Sequence, residues 1–457
     1  MKRKLALSAA LAAAVACSHN DANNTPVPPP PADCTLPAPV ASSLDGGQVL
    51  ELGTHQTGDS ITFTVPAGTA SVSILQQAVG NVPLQVVFGG STVQIVDNSV
   101  VPRFVFFPDG GTAYDDHNPP GAGADKTIDP SSFYVEYSQD TPVASAFTFP
   151  NTANSLGAGV TPGAWRMVVG DFAHECATEF QCLDGGTDQD KYDIKVVLKP
   201  QSATAFLDVN FFIIGSANTR AGVPFTAAIG NAGTDASVQR MISTFKALYG
   251  NAGITVRNVT FFDVSAADRA LYSSIVVDGT TSGEGPCDQL DQMFLLSAGS
   301  PGPAMNIFLV NALTDISASG SNSLVGIDGT IPGPATLAGT VHSGAAVAMA
   351  DLFATSAGSC AAGAIPNVEG CGADVVAYIV AHETGHFLGL FHTTESGGDL
   401  IDPLSDTGKC ACTACGNTGQ KTVCGKTDSS APMLTADQCV GGTSVSGCAG
   451  GDNLLFW

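Results

Sequence analysis

Val380-Ala-His382-Glu383-Thr-Gly-His386-Phe-Leu-Gly389-Leu-Phe-His392 is the stretch that decides how this chain is read. The apolar residues around it predict a helix over 374–388. His382 and His386 are four positions apart, so on a helix both imidazoles project from one face and can share an ion. Glu383 follows His382 directly, where its carboxylate reaches a water beside such an ion rather than the ion itself. Gly389 comes three residues after the second histidine. Glycine adopts the left-handed conformation that ends a helix and turns the chain. The turn brings His392 back as a third nitrogen donor. Three imidazoles with one open position make a catalytic zinc site, not a closed structural one.

Chance does not produce this pattern. The chain has 8 His, 8 Glu and 52 Gly in 457 residues. Drawing the five positions at random succeeds in roughly 5 chains per 10⁶ of this length.

The five positions resemble the signature of the metzincin clan of zinc endopeptidases. The resemblance implies Zn²⁺ on His382, His386 and His392, with Glu383 as general base and acid. It implies an α/β (α+β) domain with a mixed five-stranded sheet. An antiparallel edge strand, around Leu324 to Ile327, would lie above the cleft and pair with an extended substrate. It also implies a methionine-containing turn beneath the metal. Asp452 to Trp457 resembles that turn in the pappalysin-like branch, with Leu455 at the methionine position. Met433, in Ala-Pro-Met-Leu, is the alternative, but it lacks the flanking pattern. Leucine for methionine conserves volume, so the site would survive the exchange. Asp402 and Asp406-Thr407 resemble pappalysin-like positions that help to bind Ca²⁺, with simple solvation as their other reading.

Working outward, 201–457 reads as the domain that carries this site. Phe206 to Ile214 and Met305 to Val310 are buried strands. Asp235 to Tyr249 is a helix with Val238, Met241, Ile242, Phe245 and Leu248 on one stripe. Ile254 to Val264 is a strand, Cys287 to Leu296 a short helix, and Leu324–Ile327 and Ala345–Met349 two further strands. Alternating strands and helices imply a mixed sheet.

The segment 44–200 is different. Ser60-Ile-Thr-Phe-Thr-Val65 alternates polar and apolar, and strand-like runs follow at Ser71–Leu75, Leu84–Phe88, Arg103–Phe107, Phe133–Tyr137, Trp165–Val169 and Tyr192–Leu198. Turn residues separate them, so an all-β sandwich or jelly roll is expected. Pro162 to Asp171, with the strand after it, resembles accessory jelly-roll domains attached to secreted peptidases.

Residues 18–43 read as a linker, because consecutive prolines hold an extended, solvated conformation. Residues 1–17 read as an export signal: Lys2, Arg3 and Lys4 precede an apolar run from Leu5 to Ala16 that is too short to span a bilayer. Ala14-Val-Ala-Cys17 looks like a lipoprotein cleavage box with Cys17 as the acylated residue; ordinary cleavage nearby is the other reading. The expected location is an outer-membrane or cell-surface lipoprotein, or a secreted protein. Any membrane contact would come through that anchor alone.

Asp+Glu number 41 against 17 Lys+Arg, a formal charge of −24. Such a surface repels phosphate backbones, so nucleic acid is excluded as a partner. Setting Cys17 aside leaves twelve of the thirteen cysteines, an even number that suits an oxidising compartment. Cys360 is expected to pair with Cys371 and Cys176 with Cys182. The six from Cys410 to Cys448 are expected as disulfides, with a second zinc on Cys412-x-x-Cys415 as the alternative. Cys34 is read as a disulfide partner rather than a metal-capping thiol. His55, His117, His174 and His342 lack a partner at ligand spacing and are expected to be structural or surface residues.

The expected function is an exported zinc endopeptidase acting on protein or peptide substrates. The rival is a non-catalytic surface-binding or adhesion lipoprotein with a degenerate, C-terminally truncated peptidase fold.

Overall fold

A computed structural model of the chain describes residues 40–41, 47–79, 85–88, 91–94, 104–115, 137–140, 144–150, 159–170, 191–202, 205–215, 232–277, 288–300, 303–317, 320–334, 337–352, 360–361, 366–394 and 453–455. Cys17, Cys34, the Cys176–Cys182 loop, Asp402, Asp406, Thr407, Met433 and the cysteines from Cys410 to Cys448 lie outside the described residues.

The amino-terminal strands are β1 (Val40–Ala41), β2 (Gln48–Gln56), β3 (Ser60–Val65), β4 (Thr69–Ala78), β5 (Gln85–Phe88) and β6 (Ser91–Gln94). After them come β7 (Phe104–Phe106), β8 (Thr112–Asp115), β9 (Tyr137–Asp140), β10 (Ala144–Phe149), β11 (Gly163–Val168) and β12 (Lys191–Pro200). Two antiparallel sheets result, one ordered β2-β12-β4-β10-β9 and the other β3-β11-β7-β8. In β3 the alternation seen in the sequence holds: Ile61, Phe63 and Val65 are buried while their neighbours are exposed. Both sheets feed one hydrophobic cluster. Trp165 of β11 is its centre, with ring centroids of Phe107 at 5.0 Å and Phe149, from the other sheet, at 5.3 Å. The indole N–H, which burial would otherwise leave unsatisfied, donates to the Thr161 carbonyl at 2.8 Å.

The remainder runs β13 (Phe206–Ile213), α1 (Ala236–Asn251), β14 (Thr255–Asp263), α2 (Ala266–Tyr272), β15 (Ser274–Val277) and α3 (Gln289–Phe294). Then come β16 (Met305–Val310), β17 (Ala312–Ser317), β18 (Gly320–Leu324), β19 (Gly326–Asp328), β20 (Leu337–Ala338), β21 (Ala345–Ala348) and α4 (Gly372–Phe387). A five-stranded sheet is ordered β14-β13-β16-β21-β19, parallel except for β19, which pairs antiparallel with β21. Strands buried on both faces are largely apolar, as Met305–Val310 is, and its one polar residue, Asn306, is hydrogen-bonded to Asn210 and to the Ser343 carbonyl. One face packs against α1 and α4 through Phe211, Ile307 and Val347, Phe245 and Val380. The other packs against α3 and against the small sheet β15-β17-β18 through Phe212, Phe308, Phe294 and Leu313.

Two expectations need correction. Leu324–Ile327 is not one strand. The chain bends at Val325, so Leu324 ends β18 opposite Leu313, whereas Gly326 starts β19 opposite Val347. A continuous strand would send Leu324 and Ile327 to opposite faces; the bend puts both into one cluster. The linker expected over 18–43 also ends earlier than its composition suggested. Val40–Ala41 pairs antiparallel with β20, because the extended backbone that prolines favour is already close to that of a strand. Leu337 of β20 packs in turn on Leu75 and Ala146 of the first sheet.

Candidate metal centre

Helix α4 is fixed at its start before it presents anything at its end. Cys371, its N-cap, is bonded to Cys360. Asp374, in the first turn, receives both prongs of the Arg240 guanidinium at 2.8 Å, the Thr244 hydroxyl at 2.6 Å and the Asn367 N–H at 2.8 Å. Burial acts to raise the Asp374 pKa, but these donors outweigh it and hold the carboxyl below its ordinary value.

The far end of α4 closes in a Schellman motif. The Gly389 N–H donates to the His386 carbonyl at 2.8 Å and the Leu390 N–H to the Gly385 carbonyl at 3.0 Å, with Gly389 at φ +97°. A side chain with a β-carbon would be strained there. The reversal sends residues 390–392 back alongside the helix. The Thr393 N–H then donates to the Leu455 carbonyl at 2.8 Å, which ties the returning segment to the turn at 453–455.

These constraints bring three ring nitrogens to one point. His382 Nε2 lies 3.0 Å from His386 Nε2 and 3.1 Å from His392 Nε2, and the last two are 3.1 Å apart. Their tautomers are set from behind. His382 Nδ1 faces the Leu454 carbonyl and His386 Nδ1 the Leu390 carbonyl, each at 2.7 Å. A carbonyl only accepts, so each Nδ1 carries the hydrogen and each Nε2 presents a lone pair. Lone pairs 3.0 Å apart repel one another unless a cation lies among them. The donor set fits a nitrogen-seeking divalent ion such as Zn²⁺, which bonds imidazole at about 2.0–2.1 Å. Burial, with the neighbouring rings, lowers the His382 pKa to about 4 and drives that of His386 well below its ordinary value, so both are neutral at pH 7. Among the described residues these three histidines form the one cluster of this kind.

Glu383 is 3% exposed, and its Oε2 has no hydrogen-bond partner. Burial pushes its pKa well above the ordinary carboxyl range, and the carboxylate of Asp328 adds to the effect. Asp328, at the end of β19, is 6% exposed with both oxygens unpartnered. Its pKa is pushed up to about 7 by burial, against the opposing pull of its own N–H and the His392 ring. Sequence reasoning missed Asp328. The only signal was a lone acidic residue closing the apolar run Leu324-Val-Gly-Ile-Asp328.

Leu455 is buried beneath α4, where a β-carbon on Gly385 would come within 2.9 Å of its side chain. The structure therefore puts Leu455 under the helix; Met433 is not described. His342 lies outside the trio and donates from Nδ1 to the Gly329 carbonyl at 2.9 Å. His55 contacts the Leu52 carbonyl at 3.0 Å in the first sheet. His117 and His174 are not described. No protein-family model matches this sequence and no curated protein matches it, so the assignment of a candidate metal site stands on this geometry.

Proposed function

We propose that the chain is an exported zinc-dependent endopeptidase of metzincin type, closest to the pappalysin-like branch. The observation that carries this reading is the convergence of three Nε2 nitrogens, each within 3.1 Å of the others, beside a buried Glu383 whose Oε2 has no partner. A binding protein gains nothing from holding such a carboxylate in place, whereas hydrolysis needs one.

Zn²⁺ held by His382, His386 and His392 would supply Lewis-acid polarisation of a substrate carbonyl and would acidify water. The chain's own groups supply the proton transfers. Glu383 accepts a proton from the attacking water and delivers it to the departing amine. Its low-dielectric surroundings raise its affinity for that proton, which suits a group that must carry it briefly. The carbonyls of Leu454 and Leu390 keep two imidazoles in the tautomer that binds the ion. β19, the last strand of its sheet among the described residues, would offer backbone groups to an extended peptide.

The amino-terminal paired sheets are read as an accessory β-sandwich over 44–200, ahead of a catalytic domain over 201–457. Residues 1–17 are read as an export signal ending at Cys17, the proposed lipid attachment point. Asp402, Asp406 and Thr407 are proposed as Ca²⁺ ligands. The disulfide Cys360–Cys371 suits an oxidising compartment.

Cleavage of casein or gelatin by the purified chain tests the reading. Cleavage should vanish with a chelator, return with Zn²⁺ and be absent from Glu383→Ala. Stoichiometric zinc with no cleavage of any peptide library would instead favour the non-catalytic surface-binding lipoprotein.

A further inference from the structure

The edge strand β19 begins at a residue with no side chain, Gly326, and its pairing fixes how that residue sits. The Ala348 N–H donates to the Val325 carbonyl and the Gly329 N–H to the Gly344 carbonyl, each at 2.9 Å. In an antiparallel ladder the residues that exchange hydrogen bonds alternate with those that do not. Val325, Ile327 and Gly329 therefore direct their backbone groups at β21, and Gly326 and Asp328 turn theirs to the outer edge. Side chains alternate as well. Ile327 enters the cluster of Phe212 and Phe308, so position 326 faces the opposite way, towards α4.

Position 326 is where Glu383 rests. A β-carbon there would lie 2.8 Å from both Cγ and Cδ of Glu383, and closer still to Oε1. Non-bonded carbon atoms rest at about 3.5–4.0 Å, so such a β-carbon and Glu383 cannot both stay where they are. The backbone does not demand glycine here, because Gly326 is not among the residues with positive φ. Space is the reason. Glycine weakens a strand interior, so its presence marks a close approach. Neither backbone gives way readily. β19 is held by its ladder with β21 and by Ile327 in its cluster. α4 is held by the Arg240–Asp374 pair near its start and by Tyr249, whose hydroxyl donates to the Ala381 carbonyl at 3.0 Å, next to His382. The part left to move is the Glu383 side chain.

We infer that Gly326 is a positioning residue for Glu383: the bare Cα of the edge strand is the seat that fixes the Glu383 carboxyl group beside the three imidazoles. The inference rests on the reading of Glu383 as the general base. One residue then serves two tasks, with its backbone groups turned to an extended peptide and its vacant side-chain position filled by the base. A side chain at 326 keeps the first task and loses the second.

The test uses the full chain with Gly326→Ala, Glu383→Ala, Glu383→Asp and the two double variants that combine Gly326→Ala with each change at 383. Urea unfolding of the chelated protein reads the contact without reference to activity. Gly326→Ala should lower the midpoint in the parent, where the new methyl group meets Glu383. In Glu383→Ala the space is vacant, and the same substitution should leave the midpoint level or raise it. An equal shift in both backgrounds means that residue 326 does not touch Glu383, and it overturns the inference. If Gly326→Ala does not fold, its double variant with Glu383→Ala decides: a folded double supports the contact and an unfolded one overturns it.

Peptide cleavage then reads the positioning. Gly326→Ala should lower kcat by about a hundredfold or more, with KM and zinc content unchanged. In the Glu383→Asp background the same substitution should cost less than about threefold, because the shorter side chain already stands back from position 326. Loss of zinc, a rise in KM in place of a fall in kcat, or an equal loss in both backgrounds overturns the inference. If the parent chain cleaves no peptide, the hydrolase reading falls, and the unfolding cycle still decides whether residues 326 and 383 compete for this space.

Discussion

Helix α4 carries a buried carboxylate near each end, and the two have opposite surroundings. Asp374 is completely buried and has a donor on each oxygen: the Arg240 fork, the Thr244 hydroxyl and the Asn367 amide. Glu383 is nearly as buried, yet its Oε2 has no donor and its nearest charged neighbour is another carboxylate. The idealised Born cost of burying an ion, on the order of 20 kcal/mol, would be intolerable at either place without compensation. At Asp374 the compensation is built into the fold. At Glu383 burial and the neighbouring Asp328 carboxylate instead favour the uncharged acid.

The largest expected effect lies at the reactive end. Glu383→Gln should reduce peptide cleavage by about 10²–10⁴-fold, the usual span for a general base. Zinc content measured on the same sample should be unchanged, and urea stability should not fall. A variant that kept its activity would place the base elsewhere.

At the structural end the sign reverses. Arg240→Ala leaves Asp374 buried and unpaired and should cost about 3–5 kcal/mol in urea unfolding. Below the transition it should still bind one zinc and cleave peptides. A loss under about 1 kcal/mol would mean that the pair does not clamp α1 to α4.

Acidity separates the two ends more finely. Asp328 is raised to about 7 from an ordinary value near 3.8, so the native state holds its proton where the unfolded chain has released it. Its contribution is fully present below about pH 4 and is lost as the pH rises through 7. His382, lowered from 6.5 to about 4, acts the other way: stability falls as the pH drops from 6.5 towards 4. The two trends oppose each other in the parent protein. The stability difference between Asp328→Asn and the parent should therefore grow from pH 4 to 7 and level off above, measured on the chelated protein. A flat difference would remove Asp328 from the comparison.

The smallest effects come from the turns around the site. Gly389→Ala forces a β-carbon into φ +97° and should cost about 1–2 kcal/mol. Leu455→Met conserves volume beneath Gly385 and should change the unfolding free energy by less than about 1.5 kcal/mol, with zinc affinity retained. A large loss in the second variant would show that leucine branching is what fits that pocket.

What the sequence revealed follows the same division. α4, α1 and the buried strands were legible because they obey a short period: apolar residues every three to four positions or in unbroken runs. Gly389 was legible because helix termination is local. α2 was not, since none of its residues is buried and no stripe marks it. β2 was missed because its burial does not alternate. β19 was misplaced by the bend at Val325, where successive residues serve two different sheets. Asp328 left only a faint signal, an acidic residue closing an apolar run, because the Glu383 whose titration it influences lies on another element.

One contact extends into the order of assembly. The Leu454 carbonyl that orients His382 lies 72 residues beyond it. Closing so long a span is entropically costly and belongs late in folding. Until that span closes, His382 lacks the acceptor that keeps its hydrogen on Nδ1, whereas His386 has its own only four residues away in the Leu390 carbonyl.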